Sequence, residues 1–331
     1  MDTDVILPKI LPDEWLPGYR GRIAAYNGIH TPKEVANQLT LVYPSAGRWQ
    51  SQTLTFIDAA AQANAMSDSQ LLHQHSCLSV LIGLGGPSSE ALTGERALTA
   101  VRSLAMYSPD RQVRGCDECI AADLRSSRST PYWRRSHQVP GQFSCTEHRC
   151  SLWFAPEPEL LPAGPDALRE GATSLDSEAL SRLRSNPYVE RAVALLEKVV
   201  FEGIVLDRTK CADAFRRKLA DADTRAPAYG WIPALSAKVD LAFDAQWLRG
   251  LLPGFEINAR SLLQAVKRCV HDSGGRPSFM YIALVASVIF SSVEEAFLAF
   301  GAMEPQGNGV SEYLATVANG HELHRECSSS S

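Results

Sequence analysis

The chain has 331 residues, 45% of them hydrophobic and 21% charged, a composition that excludes a mainly disordered protein and leaves room for two ordinary domains. A formal net charge of −5 excludes an evenly basic nucleic-acid binder, so any contact with DNA needs a local basic face. Eight cysteines are too sparse for a disulfide scaffold, no charged apolar leader opens the chain, and the longest apolar stretch, Phe279 to Phe290, falls short of the ~20 residues that span a bilayer. These features point to a reducing cytoplasm and away from a membrane.

Asp13 is placed to cap a helix carrying Trp15, Leu16, Tyr19, Ile23 and Tyr26, which Gly28 can end. Thr31-Pro32-Lys33-Glu34 reads as a capping box with proline at the first helical position, and Ser67 to Gln70 repeats the box, with a helix between them around Thr53 to Ala65. The segment from Cys116 to His148 is poor in helix signals and predicts short strands and knuckles. The proline- and glycine-rich stretch that follows, with Pro156, Pro162, Gly164 and Gly171, reads as a linker. Asn186-Pro187 opens a further helix closed by Gly203, and helices are expected at Cys211 to Ala220, Ala237 to Leu252, Asn258 to Asp272, Phe279 to Phe290 and Ser292 to Phe300. The resulting expectation is a mostly α-helical protein: residues 1–155 containing a metal module at about 110–152, a linker over 156–184, a helical domain over 185–303 and a flexible tail over 304–331.

Cys116-Asp-Glu-Cys119, twenty-five intervening residues, then Cys145-Thr-Glu-His148 supply three thiolates and one imidazole at zinc-ligand spacing. Four protein ligands close a tetrahedral shell and leave no open position for water or substrate, so the zinc expected here is structural. Cys150 lies close enough to substitute for a ligand. Cys77, Cys211 and Cys269 read as core thiols.

Between the knuckles, Tyr132-Trp-Arg-Arg-Ser-His-Gln-Val-Pro-Gly141 mixes aromatic surface with adjacent guanidiniums. Arg134, Arg135 and His137 are candidates for contact with DNA or a partner; the competing reading puts Tyr132 and Trp133 in a mini-core beneath the metal with His137 bonded inside it. A second basic run in the later half, Arg216, Arg217 and Lys218, supplies further candidates for contact with DNA or a partner. Enzymatic signatures fail on spacing. A zinc deaminase requires His-x-Glu ahead of its Cys-x-x-Cys, whereas His324-Arg-Glu326 follows both knuckles, and His321-Glu-Leu-His324 is one residue short of the HExxH spacing. Gly83-Leu-Gly-Gly86 lacks the Lys-Ser/Thr of a P-loop, so an energy-dependent process would need a separate ATPase.

The knuckles together with Asp123, the Tyr132–Gly141 run, Pro12-Asp-Glu14 and Leu71-Leu-His-Gln-His-Ser76 resemble the signature of the TniQ/TnsD family of transposon target-selection proteins, with Asp117 where that family usually has Pro and Arg149 where it has Gly. The later half, from Arg276-Pro277 to Ser292-Val-Glu-Glu295, is similar to the TnsD side of the family. The resemblance implies zinc on Cys116, Cys119, Cys145 and His148. It also implies a non-enzymatic adaptor in the bacterial cytoplasm, associated with the nucleoid. Such an adaptor recognises target DNA, directly or through an RNA-guided CRISPR effector complex, and recruits a TnsC-like AAA+ ATPase and through it the transposase. Helix-turn-helix elements are implied in the second half, with Cys211 to Ala220 followed by Ala234 to Phe243 as one place to look. A homodimer is a further expectation, and a zinc-dependent nucleic-acid enzyme the remaining alternative.

Overall fold

A computed structural model of the chain describes residues 5–48, 51–82, 95–109, 111–126, 130–204, 206–222, 231–252, 267 and 279–302. The fold is mostly α-helical, as expected. Its first part holds α1 (Leu16–Tyr26), α2 (Pro32–Val42), α3 (Gln52–Ala63), α4 (Asp68–His75), α5 (Leu78–Ile82) and α6 (Glu95–Leu104). Then come β1 (Gln112–Gly115), α7 (Asp117–Arg125), β2 (Trp153–Pro156) and β3 (Thr173–Ser174). The later part holds α8 (Ser177–Arg184), α9 (Pro187–Glu202), α10 (Arg208–Ala222), α11 (Trp231–Ala242), α12 (Ala245–Leu251), α13 (Phe279–Ile289) and α14 (Val293–Ala299).

The capping signals act where they stand in the sequence. Thr31 accepts from the Glu34 amide with Pro32 at the first helical position, Ser67 and Gln70 complete a reciprocal capping box, and Asn186 receives the Tyr188 and Val189 amides at the start of α9. Gly203 ends α9 in the left-handed region, at φ 63. Three expectations need correction. Asp13 does not cap α1: Trp15 stands at that position without a side-chain bond, and Asp13, itself at φ 56, accepts from the Ser136 amide and hydroxyl. The helix expected from Ala237 to Leu252 is two helices, because the Asp244 side chain takes the Gln246 and Trp247 amides and starts a new one. The stretch expected as a linker is built into the fold: Leu161 is buried, the Pro162 carbonyl accepts from Trp133 Nε1, and Arg20 donates to the Glu159 carbonyl. The expected helix at Asn258 to Asp272, apart from residue 267, the Gly83–Gly86 turn, Cys269 and the tail from residue 304 lie outside the described residues.

Two apolar cores and a smaller aromatic one hold these elements. The first gathers Leu16, Tyr19, Leu39, Phe56, Ile57 and Leu71 from α1 to α4. The largest surrounds α9, which packs lengthwise on α13, and draws Val189, Leu196 and Val199 together with Phe215, Leu284 and Phe300. Cys77 and Val80 of the first part and Val139 and Phe143 of the knuckle segment enter this same core. Residues on both sides of the expected linker thus share one apolar interior. No single helix among the described residues is long and apolar enough to cross a membrane.

Between the two cores lies a three-stranded antiparallel sheet in the order β1-β2-β3, with Arg114 opposite Phe154 and Phe154 opposite Thr173. Side chains alternate across a sheet. Val113, Trp153 and Ala155 therefore share one face with Trp133, Trp15 and Leu161, where the Trp133 and Trp153 rings meet edge to face at 6.1 Å.

Candidate metal centre

The four predicted ligands converge. Cys116 directly follows β1 and caps α7, its Sγ accepting from the Cys119 amide at 3.4 Å; Cys145 repeats the arrangement, accepting from the His148 amide at 3.4 Å. Each knuckle thus turns a backbone N–H toward a sulfur that carries negative charge when it binds metal. The second knuckle is closed by the Cys145 amide donating to the Cys150 carbonyl at 2.9 Å, with Arg149 at φ 53. α7 corrects the expectation that this segment lacks helix, because the Cys116 thiol supplies the cap that no hydroxyl or carboxylate in the sequence announces.

The spacing of the donor atoms fits zinc. Bond lengths of about 2.3 Å to sulfur and about 2.0–2.1 Å to nitrogen in a tetrahedron imply sulfur–sulfur edges of about 3.8 Å and sulfur–nitrogen edges of about 3.5 Å. His148 Nδ1 lies 3.2, 3.6 and 3.7 Å from the sulfurs of Cys119, Cys145 and Cys116, and Cys119 lies 3.7 Å from Cys145. The three cysteines are buried and His148 is half-buried. Hydrogen bonding from Cys119 and Cys145 holds Cys116 far below the ordinary thiol range, at about 2, while Cys119 is pushed up by Cys116 and Cys145. Three thiolates this close cannot all ionise without a cation between them, so a divalent ion is what would let the set exist deprotonated.

Around the four donors sit two further groups. His137 Nε2 lies 3.7 Å from Cys119, in a buried position that lowers its pKa, and Cys150 Sγ lies 3.3 Å from Cys116, its own pKa pushed up to about 12 by burial and by Cys116. His137, expected at a contact surface, is only 4% exposed and faces the thiols. Its neighbours turn inward too. Arg134 makes a two-pronged pair with Asp123 at 2.8 and 2.9 Å, joining the knuckle loop to α7, and lies over the Tyr132 ring. Arg135 is buried and donates to the His73 carbonyl. The Gln138 side chain closes the outer edge of β1 by bonding both the amide and the carbonyl of Arg114. Gly141, at φ 77, sits so close beneath Trp247 that an added Cβ would lie 3.0 Å from its ring.

The mini-core reading therefore describes Tyr132, Trp133 and His137, and the guanidiniums expected to meet DNA or a partner brace the loop from within. Sequence reasoning missed the Asp123–Arg134 pair and the edge-capping Gln138, because nothing in local spacing tells which carboxylate or strand a side chain will meet. The later basic run behaves differently: Arg216 and Arg217 are exposed on α10, Arg216 pairing with Asp213 on the same helix, while Lys218 reaches Glu295 of α14.

No curated protein matches this chain in sequence. A family model described as TniQ matches residues 5–152, which run from before α1 through both knuckles to the start of β2. That span contains the first helical core, the sheet's first strand and all four candidate ligands, and the family it represents is one of transposition-associated adaptors. Over residues 5–152, somewhat under half of the chain, this protein is thus similar to the TniQ family.

Proposed function

We propose that the protein is a target-selecting adaptor in DNA transposition, which binds a target and brings to it an AAA+ ATPase and, through the ATPase, the transposase. The observation carrying this reading is the match to the TniQ family model over a segment whose Cys3His set brings four donor atoms within 4.8 Å of one another, as a tetrahedral metal site requires. A metal held in this way is zinc with a structural role: it fixes the distance between β1, α7 and the second knuckle, and it offers no open position for hydrolytic chemistry. The protein is accordingly not an enzyme, and a TnsD-like helical half carries the remaining contacts. In this reading Arg216 and Arg217, exposed on α10, are the residues that meet a phosphate backbone.

Binding of the full chain to duplex DNA without partners tests the mode of targeting. A direct reader binds one site preferentially and loses affinity steeply as salt rises, and Arg216→Glu with Arg217→Glu removes that binding. Weak binding with no site preference and no response to these substitutions assigns targeting to an RNA-guided effector complex instead. If the protein neither binds DNA nor captures a purified AAA+ ATPase of its transposition system, the adaptor reading fails.

A further inference from the structure

A cavity of about 460 Å³ opens where the second face of the β-sheet meets α8 and α12. This is the size range of binding pockets for small ligands and peptide side chains. One wall is the cross-strand row Arg114, Phe154 and Thr173, whose register puts these three side chains side by side on the face opposite the Trp133–Trp153 core. The facing wall is Leu183 of α8 with Trp247 and Leu251 of α12.

Its charge is unlike that of the molecule around it. The chain carries a net −5, yet among the described residues Arg111, Arg114 and Arg249 line the cavity and no Asp or Glu does. The Arg114 side chain is 2% exposed on the floor, where low dielectric strengthens its attraction for an anion, while Arg249 is exposed at the rim. The rest of the lining is largely apolar and aromatic. An occupant must therefore bring an apolar group and a negative charge close together.

Beside the cavity the sheet has an open side. β1 is closed along its outer edge by Gln138, whereas β3 is the outermost strand at the other side and both of its residues are exposed. A strand edge beside a pocket is the arrangement by which extended peptides are bound, main chain on the edge and one side chain in the pocket. A duplex is convex and presents its phosphates outward, so it cannot bring them to the buried Arg114 as closely as a side chain entering the cavity can.

We infer that this cavity and the β3 edge form a binding site for an extended acidic peptide of a partner protein, with a large apolar side chain in the cavity and an adjacent carboxylate on the arginines. The site goes beyond the adaptor reading and holds whatever system the chain serves. Fluorescence anisotropy with the full-length, zinc-loaded protein tests it, using a labelled pool of octapeptides in which Asp or Glu alternates with Leu, Phe or Trp. Saturable binding is expected. It should weaken about tenfold in Arg249→Glu, disappear in Leu175→Trp, where a larger side chain replaces a leucine that lines the cavity, and be absent for a pool with Asn and Gln in place of the acids. Unchanged thermal melting of Arg249→Glu keeps the test clear of folding defects, since that side chain is exposed at the rim. Absence of saturable binding overturns the inference, as does equal affinity for the amide pool or for both variants. Cavity-dependent binding of a mononucleotide or of single-stranded oligo(dT), with none of the peptide pool, overturns it in favour of a nucleic-acid site.

Discussion

The knuckle segment, residues 111–156, buries Arg114, Asp123, Arg135, His137, Gln138 and Gln142 beside three thiols, whereas the helices from residue 177 onward bury Val, Leu, Ala and Phe with Ser236 and Ser287 among the described polar residues. The first region has short elements and two-prong polar bonds; the second has a sixteen-residue helix, α9, laid along another. A small segment without long helices buries little apolar surface, and its backbone is held by ligands and directed hydrogen bonds. The helical half is held by area. Loss of one donor should therefore act in an all-or-none way in the first region, and loss of one side chain in a graded way in the second.

Removing the metal separates the two regions most sharply. Structural zinc in small modules contributes apparent binding of about 10–16 kcal/mol, as much as the whole stability of many domains. Cys145→Ser, or chelation, should release zinc and abolish hydrogen-exchange protection over residues 111–156, while α9 and α13 keep most of theirs. Retained protection around a zinc-free site would remove the contrast and leave the thiols as packing groups.

Single side chains come next. Phe215 is fully buried between Phe300 and Phe290, with ring centroids 5.4 and 6.0 Å away. Phe215→Ala should cost about 3–5 kcal/mol in denaturant unfolding with the zinc stoichiometry unchanged. Arg134→Ala leaves Asp123 buried without its partner, a loss of similar size of about 3–5 kcal/mol, yet here zinc affinity should fall with stability because the pair ties the loop to α7. Equal zinc affinity in the two variants would show that the regions are not distinct in this way.

Much of this division was legible in the sequence. Thr31, Ser67 and Asn186 announce helix starts by rules that act within four residues, and the four ligands announce themselves by spacing. What stayed hidden is contact between distant segments. Arg134 and Arg135 look like surface charge in one dimension, and only folding brings Asp123, Asp13 and the His73 carbonyl to them. Pro162 and Leu161 look like linker for the same reason, since the α1 and Trp133 surfaces that receive them are more than twenty residues away.

Acid should weaken the protein through His75 of α4, outside the knuckle segment. Burial lowers its pKa below the ordinary 6.5, although its bond to the Glu14 carbonyl works the other way. The unfolded chain takes up this proton near pH 6.5 and the folded protein only below that. His75 thus contributes a stability fully present above about pH 6.5 and lost as the pH falls toward the folded value, with a slope of at most about 1.4 kcal/mol per pH unit. His75→Gln should flatten the wild-type slope between about pH 6.5 and 5.5, both proteins being measured with zinc bound. Parallel slopes would show that the acid sensitivity comes from groups other than His75, such as His73 and His137, whose pKa values burial also lowers.

The smallest effect isolates burial from geometry. Arg182 and Glu178 on α8 form an ion pair of 2.8 Å, the same length as Arg134 to Asp123, but their side chains are 55% and 83% exposed against 13% and 6%. Water and salt screen the exposed pair, and holding two long side chains together offsets most of the attraction that remains. Arg182→Ala should therefore change stability by no more than about 0.5 kcal/mol, and raising salt should reduce even that. The contrast with Arg134→Ala follows from what each partner is left with, since Glu178 returns to solvent whereas Asp123 stays inside the protein, where a lone carboxylate is costly. A loss at Arg182 matching the loss at Arg134 would mean that pair length rather than burial sets the energies, and the distinction between the two regions would lose its physical basis.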